Sequence, residues 1–147
     1  MFQKMKASFQ KGISLLEVML SLSIIAIILV MATRYFFSAN TSQKVNQEVI
    51  QIHTLSSAIE KWKATSGAAD YSTVSLVAVA PMDPNWDGTN LKSLWGDNIT
   101  LAPGATSSTY TIEMPLPSAS ICSSLVASFK SGAACNVAAF TYTGPST

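Results

Sequence analysis

Residues 11–37 read KGISLLEVMLSLSIIAIILVMATRYFF, and this stretch decides the architecture of the chain. From Val18 to Phe37 it holds 20 residues without glycine or proline. A helix of that length spans about 30 Å, which matches the thickness of a bilayer core. Helices of globular proteins rarely stay apolar on all faces over such a length. The stretch therefore predicts a transmembrane helix.

The charged residues around this span predict its orientation. Lys4, Lys6 and Lys11 all precede Gly12, and no acidic residue lies among them. Basic residues favour the cytoplasmic side of a span, so we expect a cytoplasmic leader at residues 1–12 and an exported remainder. Without the leader, six basic and eight acidic residues remain. This balance predicts no direct nucleic-acid binding.

After Phe37 the apolar residues recur at spacings of three or four, which is typical of an amphipathic helix. The apolar positions are Val45, Val49, Ile52, Leu55, Ile59 and Trp62, and the polar positions expected on the other faces are Lys44, Gln47, Glu48, Gln51, Glu60, Lys61 and Lys63. No helix breaker separates this segment from the apolar span. We expect one helix from about Ile13 to about Thr65, roughly 80 Å long, that ends at Gly67.

The rest of the chain predicts a small head built mainly from strands and turns. Asn98–Leu101, Thr109–Met114 and Val137–Tyr142 are strand candidates, whereas Tyr71–Val79 suits either a strand or the core of a loop. The expected fold class is α+β, with the outer half of the long helix packed on a small antiparallel sheet. The expected divisions are a leader (1–12), a transmembrane or assembly half of the helix (13–37), an amphipathic half (38–66) and a globular head (67–147).

Two cysteines, Cys122 and Cys135, lie in this head. In an exported protein an even pair at short spacing predicts one disulfide, and the alternative is two buried free thiols. Ser118 is expected to cap a short helix that carries Cys122 and is closed by Gly132. The disulfide would then tie this helix to the last strand.

Other polar and aromatic residues predict no catalytic or metal site. His53 has no companion ligands and is expected on the helix surface or in packing. The loop aspartates fit no EF-hand spacing and are expected as solvated turn residues; they are Asp83, Asp87 and Asp97. Trp86 and Trp95 suit either partial burial in the core or contact with a partner. The chain is not expected to be an enzyme or to need a cofactor.

The segment Lys11-Gly12-Ile13 followed by Glu17 and the apolar run resembles the signal of type IV prepilins. In that family a glycine precedes the cleaved bond, a hydrophobic residue follows it, and a glutamate stands fifth in the mature chain. The resemblance implies that a prepilin peptidase cuts between Gly12 and Ile13 and that the new Ile13 amine is methylated. It also implies that Glu17 meets the Ile13 amine of a neighbouring subunit and selects the axial register.

The function implied by this resemblance is that of a type IV pilus subunit, a homo-oligomer in a helical fibre. Such a subunit stays in the bacterial inner membrane until inner-membrane machinery assembles it into an extracellular pilus for adhesion, motility, conjugation or DNA uptake. The YTIEMPL run before the Cys122 helix looks most like type IVb pilins of the thin conjugative pilus type. The alternatives are a pseudopilin of a type II secretion or competence system, and a membrane-tethered binding module.

Overall fold

A computed structural model describes residues 12–137 and 139–144. The leader expected at residues 1–12 therefore lies outside the described residues, except for Gly12. The chain divides into two units, Met1–Ala39 and Asn40–Thr147, and each unit is described by itself.

One helix, α1, runs from Leu15 to Ser66. It ends where Gly67 adopts a φ of +68°, a left-handed conformation that glycine reaches without steric cost. The predicted helix and its glycine stop are therefore confirmed, with both ends within two residues of the expected positions.

In the first unit the hydroxyl groups within the apolar part of α1 are satisfied by the helix itself. Ser21 Oγ donates to the Val18 carbonyl at 2.9 Å, and Ser23 Oγ donates to the Met19 carbonyl at 2.8 Å. Thr33 makes the same kind of bond to carbonyls one turn earlier. Because lipid offers no hydrogen-bond partners, this arrangement suits a helix that crosses a membrane.

The second unit contains a five-stranded antiparallel sheet with strand order β1-β2-β3-β5-β4. The strands are β1 (Leu91–Lys92), β2 (Asn98–Pro103), β3 (Tyr110–Pro115), β4 (Ala133–Asn136) and β5 (Ala139–Thr143). Two further helices are α2 (Leu76–Val79) and α3 (Ala119–Ala127), and a single 3-10 turn occupies Ala80–Met82.

The core of this unit lies between one face of the sheet and the outer half of α1. Tyr110, Ile112 and Met114 alternate along β3 and are all fully buried. They share the core with buried α1 side chains, namely Val45, Ile52, Leu55, Ala58 and Ile59, while Val49 and Trp62 pack against it. The expected α+β fold, a long N-terminal helix on a small antiparallel sheet, is confirmed.

Two of the strand predictions differ from the structure. Of the two alternatives for Tyr71–Val79, the strand is wrong: residues 71–75 form a loop and residues 76–79 form α2, and the loop supplies the buried side chains of Tyr71 and Val74. The last strand begins at Ala139 instead of Val137, because β4 precedes it and the two pair as a hairpin. The short edge strand β1 was also not expected, since two residues carry too little pattern.

The short helix α3 confirms the Ser118 cap but not the Gly132 stop. Ser118 Oγ accepts a hydrogen bond from the Ile121 N–H at 3.4 Å. The helix ends at Ala127, before Gly132. Gly132 instead adopts a φ of +80° beside β4, where its carbonyl accepts from the Thr143 N–H at 2.7 Å.

Tyr110 links α1 to the sheet. Its hydroxyl and Ser56 Oγ share a hydrogen bond of 2.5 Å, and its ring meets Tyr71 edge-on with 5.1 Å between centroids. Lys63 Nζ lies 4.4 Å from the centroid of the Tyr71 ring, a cation–π contact. Burial raises the pKa of Tyr110 to about 12, so the phenol stays protonated.

Candidate functional site

The N-terminal segment begins with three residues that precede the helix. Gly12, Ile13 and Ser14 are exposed and non-helical, and α1 starts at Leu15. The Ser14 carbonyl closes the first turn by accepting from the N–H groups of Glu17 at 2.9 Å and Val18 at 3.1 Å. The Gly12–Ile13 bond therefore lies outside the regular helix.

Gly12 is not required by the fold of the described residues. A Cβ atom added at this position would meet no heavy atom within 4 Å. Nothing around Gly12 within the described residues therefore requires a glycine at this position.

Glu17 lies in the first turn of α1, where the positive end of the helix dipole favours a carboxylate. Its side chain is exposed, and no residue that the structure describes forms an ion pair with it. Its expected partner, the Ile13 amine of another subunit, belongs to a second chain. The Glu17 pairing and the methylation of Ile13 therefore stay predictions.

The apolar surface around Glu17 has no cover within the described residues. Every large apolar side chain from Ile13 to Phe37 is between 41% and 82% exposed. Soluble proteins rarely expose contiguous apolar patches of more than a few hundred Å². Among the described helices, α1 alone is long and apolar enough to cross a membrane. This half of α1 requires lipid or other protein chains around it.

The structure joins Cys122 and Cys135 in a disulfide, with 5.9 Å between their Cα atoms. Cys122 is fully buried on α3, whereas Cys135 is exposed on β4. The bond therefore ties α3 to the edge strand β4. The expectation that it reaches the last strand is wrong, since that strand is β5.

A buried polar cluster in the second unit contradicts the expected polar faces of α1. Glu48 is 0% exposed and Gln51 is 6% exposed. Glu48 Oε2 accepts from the Leu94 N–H at 2.9 Å. Gln51 Nε2 donates to the Lys92 carbonyl at 3.1 Å. Both side chains therefore bind α1 to the end of β1 and to the loop that follows it.

Two acceptor atoms of this cluster are left without donors. Glu48 Oε1 and Gln51 Oε1 are buried and have no hydrogen-bond partner among the described residues. Burial raises the pKa of Glu48 to about 7 from an ordinary value of 4.5. The hydrogen bond from Leu94 opposes this rise, and the nearby charge of Asp83 adds to it. A cavity of about 240 Å³ adjoins Gln51 and Asp83.

The loop aspartates hold turns, as predicted, but one of them is not solvated. Asp87 is exposed, and its Oδ1 accepts from Thr89 N–H at 2.8 Å and Asn90 N–H at 2.6 Å. These bonds lower its pKa. Asp83 instead is buried and accepts from the Asn85 N–H at 2.8 Å. The described residues contain no group of three or more His, Cys, Asp or Glu side chains that could hold a metal ion.

The aromatic residues and His53 lie where packing explains them. Trp86 and Trp95 are partly buried against the core. His53 is exposed, and its ring lies 5.1 Å from that of Phe129. The expectation of a surface or packing histidine is confirmed.

Sequence reasoning missed Glu48 and Gln51, although the helical spacing held a signal. Val45, Glu48 and Ile52 are spaced by three and four residues, and the same series continues to Leu55 and Ile59. Glu48 thus occupies a core position of the apolar face. A carboxylate at such a position indicates a specific buried contact.

Comparison with known proteins bears on the N-terminal segment alone. Residues 8–33 match the family model described as the prokaryotic N-terminal methylation motif. No curated protein and no solved structure matches the chain. The chain therefore carries, at residues 8–33, the signal segment of type IV pilins and pseudopilins.

Proposed function

We propose that the chain is a structural subunit of a type IV pilus, cleaved after Gly12 and polymerised through α1. One observation carries this proposal: the apolar half of α1 is exposed on every side and begins with the methylation motif. A simple anchor needs the apolar surface but not the motif. A subunit that moves from the membrane into a fibre needs both, because other helices replace the lipid.

The exposed, non-helical Gly12–Ile13 bond suits processing by a membrane-embedded prepilin peptidase. A peptidase must draw the chain closely into its site, and Gly12 offers no side chain to hinder this approach. Among the described residues, no heavy atom lies within 4 Å of a Cβ added to Gly12, so packing there does not require a glycine. Cleavage would free the Ile13 amine, and the match of residues 8–33 to the methylation motif supports methylation of this amine.

Glu17 would then select the register of assembly. A carboxylate in the centre of a membrane helix costs about 3 kcal/mol, and less near its end. Such residues usually have a partner, and the described residues of this chain offer none. The Ile13 amine of a neighbouring subunit would be that partner. A buried ion pair adds little net stability, but leaving one of its charges unpaired is costly. The axial offset that pairs Glu17 with the amine would therefore be favoured over other offsets.

Substitution of Glu17 tests this proposal. Glu17→Gln keeps the shape of the side chain but removes its charge, so membrane insertion, cleavage and folding of the head should continue while fibre assembly fails. Glu60→Gln makes the same change at an exposed position of α1 and should assemble normally. The measurement compares membrane-bound mature subunit with protein sheared from the cell surface. Normal fibre yield from Glu17→Gln would refute a register role.

The same experiment separates the alternative roles. A pseudopilin would be processed but remain bound to the cell after shearing. A tethered binding module would stay in the membrane whether or not Glu17 carries a charge. The narrower placement among type IVb pilins of the thin conjugative type rests on YTIEMPL and the Cys122 helix, and it stays a prediction.

A further inference from the structure

The buried side chains of Glu48 and Gln51 hold two acceptor oxygens for which the described residues offer no hydrogen-bond donor. Glu48 uses Oε2 to accept from Leu94, and Gln51 uses its amide nitrogen to donate to Lys92. Because a backbone carbonyl only accepts, the nitrogen of Gln51 must face Lys92, and its oxygen is the atom left free. Two buried acceptors thus remain, one on each side chain. Leaving such atoms unpaired is costly.

The two free oxygens belong to side chains that reach the same short segment of the head. Glu48 and Gln51 are three residues apart on one face of α1, a spacing that places helix side chains side by side. Both contact the same short segment, Lys92–Leu94. Two acceptor oxygens cannot bond to each other unless one of them gains a hydrogen.

We propose that Glu48 is a protonated acid in the folded head and donates its carboxyl proton to Gln51 Oε1. One proton then converts Glu48 Oε1 from an unpaired acceptor into a donor and satisfies Gln51 at the same time. The pair latches α1 to the segment that leads into β2. Ionisation of Glu48 removes this hydrogen bond and leaves a buried carboxylate.

The charges around Glu48 favour the neutral acid. Asp83, from the loop after α2, is a second carboxyl group whose negative charge disfavours ionisation. Lys44 lies one turn earlier on α1 and is half-buried, and Lys92 and Asp97 lie on the adjoining segment and are exposed. None of these lysines forms an ion pair with Glu48 among the residues that the structure describes. Together with full burial, this places the pKa near 7.

The latch makes stability depend on pH in a defined direction. Between pH 4.5 and about 7 the folded chain holds a proton that the unfolded chain has released, so stability falls as the pH rises. Below this window Glu48 is protonated in both states, and above it both are ionised. Each pKa unit corresponds to a tenfold change in the folding equilibrium, so the whole window is worth about 300-fold.

The direct test is a carboxyl-carbon NMR titration of Glu48 in the full-length protein in detergent micelles, with Glu48→Gln used to assign its signal. A midpoint near pH 7 supports the latch. A midpoint near 4.5 overturns it, because the acceptors must then be served by a water molecule or a cation.

Unfolding experiments across the same pH range give a second readout. Wild type and the matched control Glu60→Gln should lose stability from pH 5 to 8. Glu48→Gln, whose amide can donate at every pH, should lose about 70-fold less in its folding equilibrium over this range, because part of the window lies below pH 5. Equal losses in all three proteins would overturn the proposal. Stabilisation of wild type by Ca²⁺ at pH 8, absent in Glu48→Gln, would assign the site to a metal and also overturn it.

Discussion

The edge strand β4 depends on the disulfide, and Cys135→Ser tests how strongly. Three of the four β4 residues are exposed, and the strand pairs with β5 alone. Its side chains therefore contribute little burial, and the bond from Cys135 to α3 is its main additional support. Cys135 is the cleaner cysteine to replace, because Cys122 is fully buried and a serine there would add a buried hydroxyl group.

The size of the effect follows from the length of the closed loop. The two cysteines are 13 residues apart, and opening such a loop returns about 3 kcal/mol of conformational entropy to the unfolded chain. For a head of this size, this loss lowers the unfolding temperature by about 12 °C or more.

The assay is thermal unfolding of the full-length protein in detergent micelles. Oxidised wild type, wild type reduced with a thiol, and Cys135→Ser are compared. Reduced wild type and Cys135→Ser should unfold at the same lowered temperature, and the thiol should not affect the variant further. Cys122→Ser should unfold at a lower temperature than Cys135→Ser. Its fibre yield should fall, although the protein should still be cleaved after Gly12. Unchanged unfolding of wild type on reduction, or two labelled free thiols in exported protein, would refute the reasoning.

Four further substitutions test other parts of the structure. Tyr110→Phe removes the hydroxyl that bonds Ser56, so unfolding by denaturant should require about 1 kcal/mol less. Gly132→Ala places a Cβ against the Thr143 carbonyl at a positive φ and should cost about 2 kcal/mol or more. Gly67→Ala, also at positive φ but in open space, should lower the free energy of unfolding by only about 1 kcal/mol. Equal losses of stability in Gly132→Ala and Gly67→Ala would show that the structure relieves the contact with the Thr143 carbonyl. Gly12→Val should block processing, seen as an uncleaved intact mass in the membrane fraction.

The long helix was predictable because its signals are local and repeated. A largely apolar stretch of 20 residues without glycine or proline, and the regular spacing from Val45 to Trp62, determine a helix without reference to the rest of the chain. Ser118 was predictable for the same reason, since its hydroxyl caps the helix that follows directly.

The strands at the sheet edges were harder, because their pairing is not local. Leu91–Lys92 becomes a strand only through its register with Ile99 and Asn98. Ala133–Asn136 consists of small and polar residues with weak strand preference, and its pairing with β5 and the Cys135 bond define it. The role of Gly132 followed the same rule, since its left-handed turn serves the sheet and not α3.

The polar cluster shows the limit of pattern reading within a helix. Glu48 and Gln51 were assigned to polar faces by residue type, although Glu48 occupies a core position by spacing. Their donors and acceptors, Leu94 and Lys92, lie more than 40 residues away in sequence. No local sequence pattern predicts hydrogen-bond partners at such a distance along the chain.

The central claim is that α1 is first processed and then built into a fibre. The most direct test is the intact mass of the chain recovered from sheared surface fibres. The account predicts a protein that begins at Ile13, carries a methylated amine and is present in the sheared fraction. A chain that retains Met1–Gly12, or one found only in the membrane after shearing, would contradict it.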